Sequence, residues 1–503
     1  MLRLSALMSG QPLYEYGRNR FWEIVPGALV WLTFIGAIVL SLTVPIVAIM
    51  MVILFYVYWL FRVTYYVVYL TTAWLQYRRT LRVDWQAKCQ SLPGTSDIYH
   101  LIFLPTYQEE LSILRATLKS LRRGGFPTQR LILVLAGEER DHERFSKNAQ
   151  SILREYGTQF AKVYVTEHPA NLLGEIPGKG SNLHWAGEQV ALQLAKDFPD
   201  LVDEKIVVSS FDIDTIIHPQ YFWYLTWLYC TVPEPTRSSY QPVALFSNTI
   251  WTAPAPVRIA AFGTTFWLMS ELTRPERLWT FSSHSMPWKM LKDVGFWERN
   301  IVSEDSRIFL QAFLHYHGQY RVTPMFLPVS MDTVSGRSYW EALKALYRQQ
   351  RRWAWGVEHL PVMVEHFRRD PLIPWQKKLK YVFNHMEGMF TWATAPILIF
   401  ILGRLPLDVA AREGSALVQA APFTLETIMQ LAMVGVLVSG IFSLTILPHR
   451  PEKMRHTWWL VMILQWLLLP VTFILFGSLP AIDAQTRLML GKYLGFNVTK
   501  KMR

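Results

Sequence analysis

The chain has 503 residues, of which 51% are hydrophobic, and its formal net charge at pH 7 is +12. Its two cysteines suggest neither a disulfide framework nor a thiolate metal site, and we find no interleaved basic and aromatic motif of a nucleic-acid-binding module. We therefore expect no nucleic acid partner, and the positive charge suits anionic lipid or a negatively charged substrate. The apolar residues are concentrated at both ends of the chain, which predicts a membrane protein.

The first apolar stretch runs from Trp22 to Leu75 and contains only two charged residues, Glu23 and Arg62. It is long enough for two spans of about 20 residues each, and we expect a hairpin that turns near residues 43–45. The polar and charged first 20 residues predict no cleavable signal peptide. Lys and Arg on both flanks place both ends of the hairpin in the cytoplasm. Residues 1–95 are thus expected to form an N-terminal cytoplasmic segment and a hairpin in the inner membrane.

Between residues 96 and 360, short β-rich runs alternate with polar-faced helices. This alternation predicts a cytoplasmic domain built on a mostly parallel α/β sheet. The predicted strands are His100–Leu104, Leu131–Leu135, Lys162–Thr166, Ile206–Phe211, Val243–Asn248 and Arg321–Phe326. The predicted helices include Glu109–Arg123, Ser181–Lys196, Pro219–Tyr229, Ser306–His315 and Tyr339–Trp355.

One predicted strand ends abruptly in two carboxylates, Asp212 and Asp214. Ligands of open α/β sheets lie just beyond the carboxyl ends of the strands. An Asp-x-Asp pair at that place can point toward one hard cation and leave positions open for diphosphate oxygens and water. The alternative is that these residues cap a helix or form a turn after the strand.

The first predicted strand runs into the segment Pro105-Thr-Tyr-Gln-Glu109. A polar turn at this place, with a tyrosine ring available for stacking, could receive a nucleotide base. A plain connection between strand and helix is the alternative.

The segment from Gly174 to Asn182 departs from the Walker phosphate-binding pattern at two positions. Only three residues separate Gly174 from Gly178, and Gly180 follows Lys179 where Ser or Thr is required. We therefore exclude a P-loop ATPase and disfavour a nucleotide-driven transporter. The glycines and the lysine instead predict either an anion-facing helix N-terminus or an ordinary flexible loop.

Two acids, Glu304 and Asp305, stand at the predicted start of a helix. They would either cap the helix or supply a general base that takes a proton from a hydroxyl group.

Further along, Gln349, Arg352 and Trp353 are spaced i, i+3 and i+4 and so share one helix face. An amide, a guanidinium and an indole side by side suit a diphosphate and a sugar. The alternative is an amphipathic helix on the membrane surface, with Arg348 and Arg351 toward lipid headgroups.

Residues 361–503 are expected to form interfacial and transmembrane helices followed by a basic tail. The Arg450, Lys453 and Arg455 cluster predicts a cytoplasmic loop. Pro470 permits a broken or re-entrant helix, which gives four to six spans in the whole chain. The predicted apolar runs are Val382–Leu402, Ile428–Leu447 and Trp458–Leu479. His284, His315 and His317 lack a metal-ligand spacing and are expected to be structural.

Taken in order, Asp212-x-Asp214, Glu304-Asp305 and Gln349-x-x-Arg352-Trp353 resemble the motifs of membrane-integrated family 2 glycosyltransferases, which include the cellulose, chitin and hyaluronan synthases. The segments Pro105-Thr-Tyr-Gln-Glu109 and Lys179-Gly-Ser-Asn182 resemble two further family segments. The resemblance implies an α/β GT-A-like domain inserted between N- and C-terminal transmembrane helices. It also implies a nucleotide-diphosphate sugar as donor, Mg²⁺ or Mn²⁺ as cofactor, and inversion at the anomeric carbon.

The same resemblance implies roles for individual residues. Asp305, with Glu304 beside it, would be the catalytic base, Asp212 and Asp214 would hold the metal, and Trp353 would line the acceptor site. The implied donor-binding residues are Thr106, Tyr107, Glu109, Glu138, Lys179, Asn182, Asp212, Gln349 and Arg352.

One segment departs from the family pattern. Where the family carries an Asp-Asp pair after the second strand, this chain reads Leu135-Ala-Gly-Glu-Glu-Arg-Asp141. Glu138 or Glu139 would then take the place of an aspartate, with a carboxylate that extends further from the backbone. Because of this departure, the sequence does not predict which nucleotide base and which sugar the donor carries. We expect transfer to a growing polysaccharide; the alternatives are a one-step enzyme that makes a glycolipid, or an inactive homologue that acts as a membrane scaffold.

Overall fold

A computed structural model describes residues 12–411, 415–452 and 457–495. Its strands are β1 (Tyr99–Pro105), β2 (Leu131–Glu138), β3 (Lys162–His168), β4 (Ile206–Ser210), β5 (Ile216–Ile217), β6 (Ser238–Phe246), β7 (His284–Pro287) and β8 (Arg321–Met331). The first helices are α1 (Arg20–Thr43), α2 (Pro45–Thr80), α3 (Trp85–Gln90), α4 (Leu111–Arg122), α5 (His142–Tyr156), α6 (Lys179–Asp197), α7 (Tyr221–Thr231), α8 (Ala255–Leu272), α9 (Trp288–Asp293) and α10 (Glu304–His315). The later helices are α11 (Tyr339–Ala354), α12 (His359–Arg369), α13 (Trp375–Phe400), α14 (Leu405–Ala410), α15 (Ala416–Thr445), α16 (Trp458–Leu464), α17 (Leu469–Phe473) and α18 (Leu479–Met489).

The predicted N-terminal hairpin consists of α1 and α2, which are separated only by Val44. Pro45 restricts the residue before it to extended backbone, and Val44 has φ −140° and ψ 66°. Both helices are long and apolar enough to cross a membrane. The turn therefore lies where the sequence predicts it.

Near the C-terminus, α15 and the segment Trp458–Met489 are also long and apolar enough to cross a membrane, which makes four such helices in the described residues. The bent pair α13 and α14, at 50°, would be a fifth if it forms one span. The last candidate span contains a π turn at Ile474–Ser478 and continues through α18 to Met489, so its predicted end at Leu479 was ten residues short. Lys453, Arg455 and the tail beyond residue 495 lie outside the described residues.

The soluble part contains an eight-stranded sheet in the order β3-β2-β1-β4-β7-β6-β8-β5. The strands β3, β2, β1 and β4 are parallel to one another, whereas β7 is antiparallel to β4 and β6. The sequence did not predict β5 or β7. It also placed β6 about five residues late and ended β8 five residues early.

Helices cover both faces of this sheet. Leu101 and Phe103 of β1 pack with α6 and α10 on one face, whereas Ile102 and Leu104 pack with α4, α5 and α7 on the other. Successive strand residues point to opposite faces, and every residue of β2 is buried. Burying one such aliphatic side chain contributes about 1.5–3 kcal/mol, so these central strands hold the polar strand ends in place.

Two neighbouring parallel strands, β1 and β4, have connections that run to opposite sides. The chain leaves β1 toward β2 and β3, and later returns to place β4 on the other side of β1. Such a switch point opens a crevice at the carboxyl ends of the strands, where open α/β sheets bind ligands. Here the crevice begins after Pro105 and Ser210.

Residues 13–17, the N-terminal strap, join the soluble part to the membrane hairpin. The backbone N–H of Leu13 donates to Oε1 of Glu298 at 2.7 Å, and the carbonyl oxygen of Leu13 lies 3.0 Å from Nε2 of His366. The strap also binds α1, because the N–H of Gly17 donates to the buried carboxylate of Glu23 at 2.8 Å. It therefore fixes α1 against the segment that precedes α10.

Candidate active site

Three acidic side chains converge on the ammonium group of Lys179. Its Nζ donates to Oδ1 of Asp212 at 2.8 Å and to Oδ1 and Oδ2 of Asp305 at 2.9 and 3.0 Å. Oε1 of Glu304 lies 3.6 Å from the same nitrogen. The structure thus brings together four of the residues singled out in the sequence, at the carboxyl end of β4 and the starts of α6 and α10.

A glycine permits the close approach of α6 to the acids. Lys179 is the first residue of α6, as the predicted helix N-terminus requires. A β-carbon at position 180 would lie 3.0 Å from the carbonyl oxygen of Glu298 and 3.3 Å from Cβ of Glu304. Gly180 therefore lets the first turn of α6 pack directly against the segment that carries Glu304 and Asp305.

Two serines before β7 hold Asp212 in place. The hydroxyl of Ser282 donates to Oδ2 of Asp212 at 3.0 Å and lies 3.2 Å from Oδ2 of Asp305. The backbone N–H of Asp212 donates to Oγ of Ser283 at 3.3 Å. The sequence analysis missed both serines, since no signal marked β7, and only its pairing with β4 brings them to the site.

The two aspartates of the Asp-x-Asp pair differ in their surroundings. Asp212 faces Lys179, whereas Asp214 is almost fully buried and its Oδ2 accepts a bond from the backbone N–H of Asp332 at 2.9 Å. Asp332 directly follows β8. Asp214 thus ties the loop after β4 to the end of β8, while Asp212 belongs to the acid cluster.

The electrostatics of the cluster follow from burial and crowding. Burial, together with the charge of Asp305, raises the pKa of Glu304 to about 7, although Lys179 and Arg352 act in the opposite direction. Burial alone would lower the pKa of Lys179, but Asp212, Asp305 and Glu304 outweigh it and raise that pKa. The ammonium is therefore charged, and Glu304 can carry or release a proton near neutral pH.

His284, expected to be structural, borders the same cluster. Its Nδ1 lies 4.0 Å from Oδ1 of Asp305 and 2.7 Å from the carbonyl oxygen of Phe281. Burial lowers the pKa of His284 to about 4, so the ring is neutral near pH 7. The neutral ring donates from Nδ1 to Phe281, which agrees with a structural role.

The ends of β1 and β2 carry a second group of predicted residues. Nε of Arg140 donates to Oε2 of Glu138 at 2.9 Å, and the guanidinium lies 4.6 Å from the ring centre of Tyr107. The carboxylate of Glu109 accepts a bond from the backbone N–H of Tyr107. Glu138 thus holds an arginine over the tyrosine ring, an arrangement that the sequence analysis did not predict.

Two polar side chains between these strand ends and the acid cluster have an atom without a partner. The N–H of Thr106 and Nδ2 of Asn182 both donate to the carbonyl oxygen of Ala136 at 2.8 Å. Oγ1 of Thr106 and Oδ1 of Asn182 are buried and have no hydrogen-bond partner among the described residues. Buried polar atoms usually have partners, so this is a place where a polar ligand can bind.

The predicted Gln349, Arg352 and Trp353 group lies on α11 and is half-buried. The indole of Trp353 packs against Phe246 at the end of β6, with ring centres 5.6 Å apart. The charge of Arg352 acts on the pKa of Glu304, which places the guanidinium near the acid cluster. The helix therefore brings a cation and a flat apolar wall toward the cluster, and Gln349 shares their face by its spacing.

The acid cluster fits a divalent ion only together with a ligand. Among the described residues, no three His, Cys, Asp or Glu side chains form a ready metal site. Mg²⁺, however, is commonly bound by one or two carboxylates together with substrate phosphates. Asp212 and Asp214 have the right oxygens for such an ion, provided that it arrives with a diphosphate and that Lys179 releases Asp212.

No protein-family model and no curated protein matches this chain. The chain is similar to solved glycosyltransferase structures. One is the mannosyltransferase PcManGT from Pyrobaculum calidifontis in complex with GDP-Man and Mn²⁺, with 15% identity over 79% of this chain and 99% of that chain and a TM-score of 0.43. Another is S. aureus TarS 1–349 in complex with UDP-GlcNAc, with 14% identity over 71% of this chain and 95% of that chain and a TM-score of 0.35.

Proposed function

We propose that this chain is a membrane glycosyltransferase that moves a sugar from a nucleotide diphosphate to a growing polysaccharide, with inversion at the anomeric carbon. The observation that carries the proposal is the convergence of Asp212, Glu304 and Asp305 on Lys179. This cluster lies at the carboxyl end of β4, beside the switch point of the sheet, where a ligand is expected. Carboxylates and cations placed together there suit proton removal and diphosphate departure.

In the proposed reaction, Asp305 accepts the proton of the acceptor hydroxyl. The hydroxyl oxygen forms a bond to the anomeric carbon, while the bond from that carbon to the diphosphate oxygen breaks and its electron pair leaves with the diphosphate. Lys179 and Arg352 place positive charge where negative charge develops. Attack from the side opposite the leaving group inverts the anomeric centre.

The donor occupies the crevice after β1 and β2 in this proposal. The ring of Tyr107, with Arg140 over one side, receives the base. The unpartnered oxygens of Thr106 and Asn182 accept hydrogen bonds from donor groups. Glu138 acts indirectly here, because it holds Arg140.

Asp212 and Asp214 would hold Mg²⁺ or Mn²⁺, which neutralises charge on the departing diphosphate when bound. The acceptor extends along the wall that Trp353 forms with Phe246. The catalytic domain faces the cytoplasm of the inner membrane, in line with the positive flanks of the hairpin. A one-step enzyme that makes a glycolipid is the second candidate, favoured by the packing of α11 against the last candidate span.

The first test measures release of nucleoside diphosphate from a panel of nucleotide sugars by the purified, detergent-solubilised chain. We expect one donor to be turned over, and Asp305→Asn to lower that turnover at least about 100-fold, because a positioned base contributes about that much. Asp200→Asn changes an exposed aspartate and serves as the matched control. A chelator should abolish release, and Mn²⁺ or Mg²⁺ should restore it.

The products then separate the candidate functions. A ladder of chain lengths supports polysaccharide extension, and a single glycosylated lipid supports the second candidate. If no donor is turned over in the presence of added membrane lipids, the chain is an inactive scaffold and the proposal is wrong.

A further inference from the structure

A groove of about 500 Å³ opens on α11, and neither Gln349 nor Trp353 lines it. One wall is a face of the helix that includes Trp340, Lys344 and Arg348, and the other is Phe476 of the last candidate span. We call this feature the α11 groove. It belongs neither to the acid cluster nor to the proposed donor crevice.

The α11 groove carries positive charge that the protein does not neutralise. Lys344 and Arg348 are both exposed, and neither forms an ion pair or a hydrogen bond within the described part of the chain. The neighbouring Arg351 differs, because its guanidinium pairs with Asp483 at 2.8 Å. Two unpaired cations one helical turn apart suit an anion that bridges them.

The position of the α11 groove indicates where that anion comes from. Phe476 lies in the π turn of the last candidate span, so the groove opens beside a membrane-crossing helix. Tyr339 and Trp340 at the start of α11 are 52% and 76% exposed. Exposed Trp and Tyr side chains beside a span mark the level of the lipid headgroups, and basic residues at that level attract anionic lipid.

We propose that the α11 groove binds the phosphate of an anionic lipid headgroup. Lys344 and Arg348 donate to the phosphate oxygens, while Trp340 and Phe476 contact the glycerol backbone and the first part of an acyl chain. The binding does not depend on the proposed transferase activity. Arg352 follows Arg348 by four residues, about 6 Å along the helix, so the bound headgroup lies one turn from the candidate active site.

The test is native mass spectrometry of the full chain in neutral detergent, with phosphatidylglycerol and phosphatidylcholine of identical acyl chains as probes. We expect the wild type to retain phosphatidylglycerol in preference to phosphatidylcholine. The K344Q/R348Q variant should bind phosphatidylglycerol about 30-fold more weakly, because it loses two lysine or arginine contacts at the lipid surface. Its folding should not change, since neither side chain has a partner in the described chain.

The control is K147Q/R154Q, which removes the same charge from exposed positions on α5 at the other end of the sheet. Equal weakening in the two variants would show a general charge effect and overturn the proposal. Equal retention of the two lipids by the wild type would also overturn it. Displacement of phosphatidylglycerol by inorganic phosphate alone would assign the cations to a soluble anion instead of a lipid.

Discussion

At the residue scale, the candidate site depends on one cation among three acids. Asp212, Glu304 and Asp305 would repel one another if they were crowded and charged, and Lys179 offsets that repulsion because its Nζ lies within 3.6 Å of all three. Lys179 does not offset the repulsion fully, because burial and the charge of Asp305 still raise the pKa of Glu304 to about 7. Proton uptake by Glu304 therefore accompanies folding at mildly acidic pH.

This uptake predicts a pH-dependent stability. The folded-state pKa of Glu304, about 7, lies above the ordinary value near 4.5, so the folded chain binds more protons between these values and becomes less stable as pH rises through that range. Relative to Glu304→Gln, the wild type should lose a few °C in its unfolding temperature between about pH 5 and 7.5, with no further loss above.

Differential scanning fluorimetry in detergent measures the effect, and the difference between the two proteins cancels the contributions of all groups that both proteins share. Glu143→Gln alters an exposed glutamate on α5 and should follow the wild-type curve. Parallel curves for wild type and Glu304→Gln would contradict the assigned pKa.

At the element scale, the site requires the first turn of α6 to touch the segment before α10. A side chain at position 180 would be crowded, since a β-carbon there would lie 3.0 Å from the carbonyl oxygen of Glu298. The glycine that replaces the Ser or Thr of the Walker pattern thus has a packing reason. Lys179 reaches the acids because the residue after it has no side chain.

Gly180→Val should therefore lower nucleoside diphosphate release at least about 10-fold, because small displacements of catalytic groups are costly. The expected cause is a shift of Lys179 away from Asp305. Gly388→Ala on α13 is the matched control, since a β-carbon at position 388 meets no atom within 4 Å. A Gly180→Val variant with unchanged turnover would show that the close contact is not required.

Elements with a local burial pattern could be predicted from the sequence, whereas elements that depend on distant partners could not. Strands β1, β2 and β4 are buried along nearly their whole length, and β3 alternates between buried and more exposed residues. The predicted bounds of these four strands agree with the structure to within a few residues. Strand β7 has only four residues, including His284 and Pro287, and forms because it pairs with β4. The helix α18 continues past Leu479 although Asp483 is charged, because Arg351 and Arg487 pair with that carboxylate.

The candidate site could likewise be predicted only in part from the sequence. The sequence marked Lys179, Asp212 and Asp305 separately, but Lys179 is 33 and 126 residues away from its two partners, so only the folded sheet brings them together. Ser282 carried no signal, because a single serine in a loop is common. The different surroundings of Asp214 depend on Asp332, which no local pattern connects to it.

At the scale of the whole molecule, many of the exposed apolar side chains lie on the candidate spans. Leu54, Phe61, Leu437 and Leu467 are each at least 65% exposed and lie on α2, α15 and the last candidate span. So much apolar surface facing outward is expected only where lipid covers it.

The proposed orientation predicts which side a thiol faces. Cys230 at the end of α7 is exposed and Cys89 is buried, so a membrane-impermeant maleimide should label Cys230 in inside-out vesicles and leave it unlabelled in right-side-out ones. Partial burial raises the pKa of the Cys230 thiol to about 11, so labelling needs alkaline pH and long incubation. Cys230→Ala should abolish the signal. Labelling in right-side-out vesicles would place the sheet on the opposite side.

The N-terminal strap has a consequence for the order in which the protein is made. Leu13 is synthesised before its partners Glu298 and His366, which follow it by 285 and 353 residues. The hairpin must therefore enter the membrane while its own leading segment is still without those partners. The strap can form both contacts only after α12, which contains His366, has been synthesised. Synthesis of this chain thus includes a long interval in which the strap lacks the partners that it contacts in the folded protein.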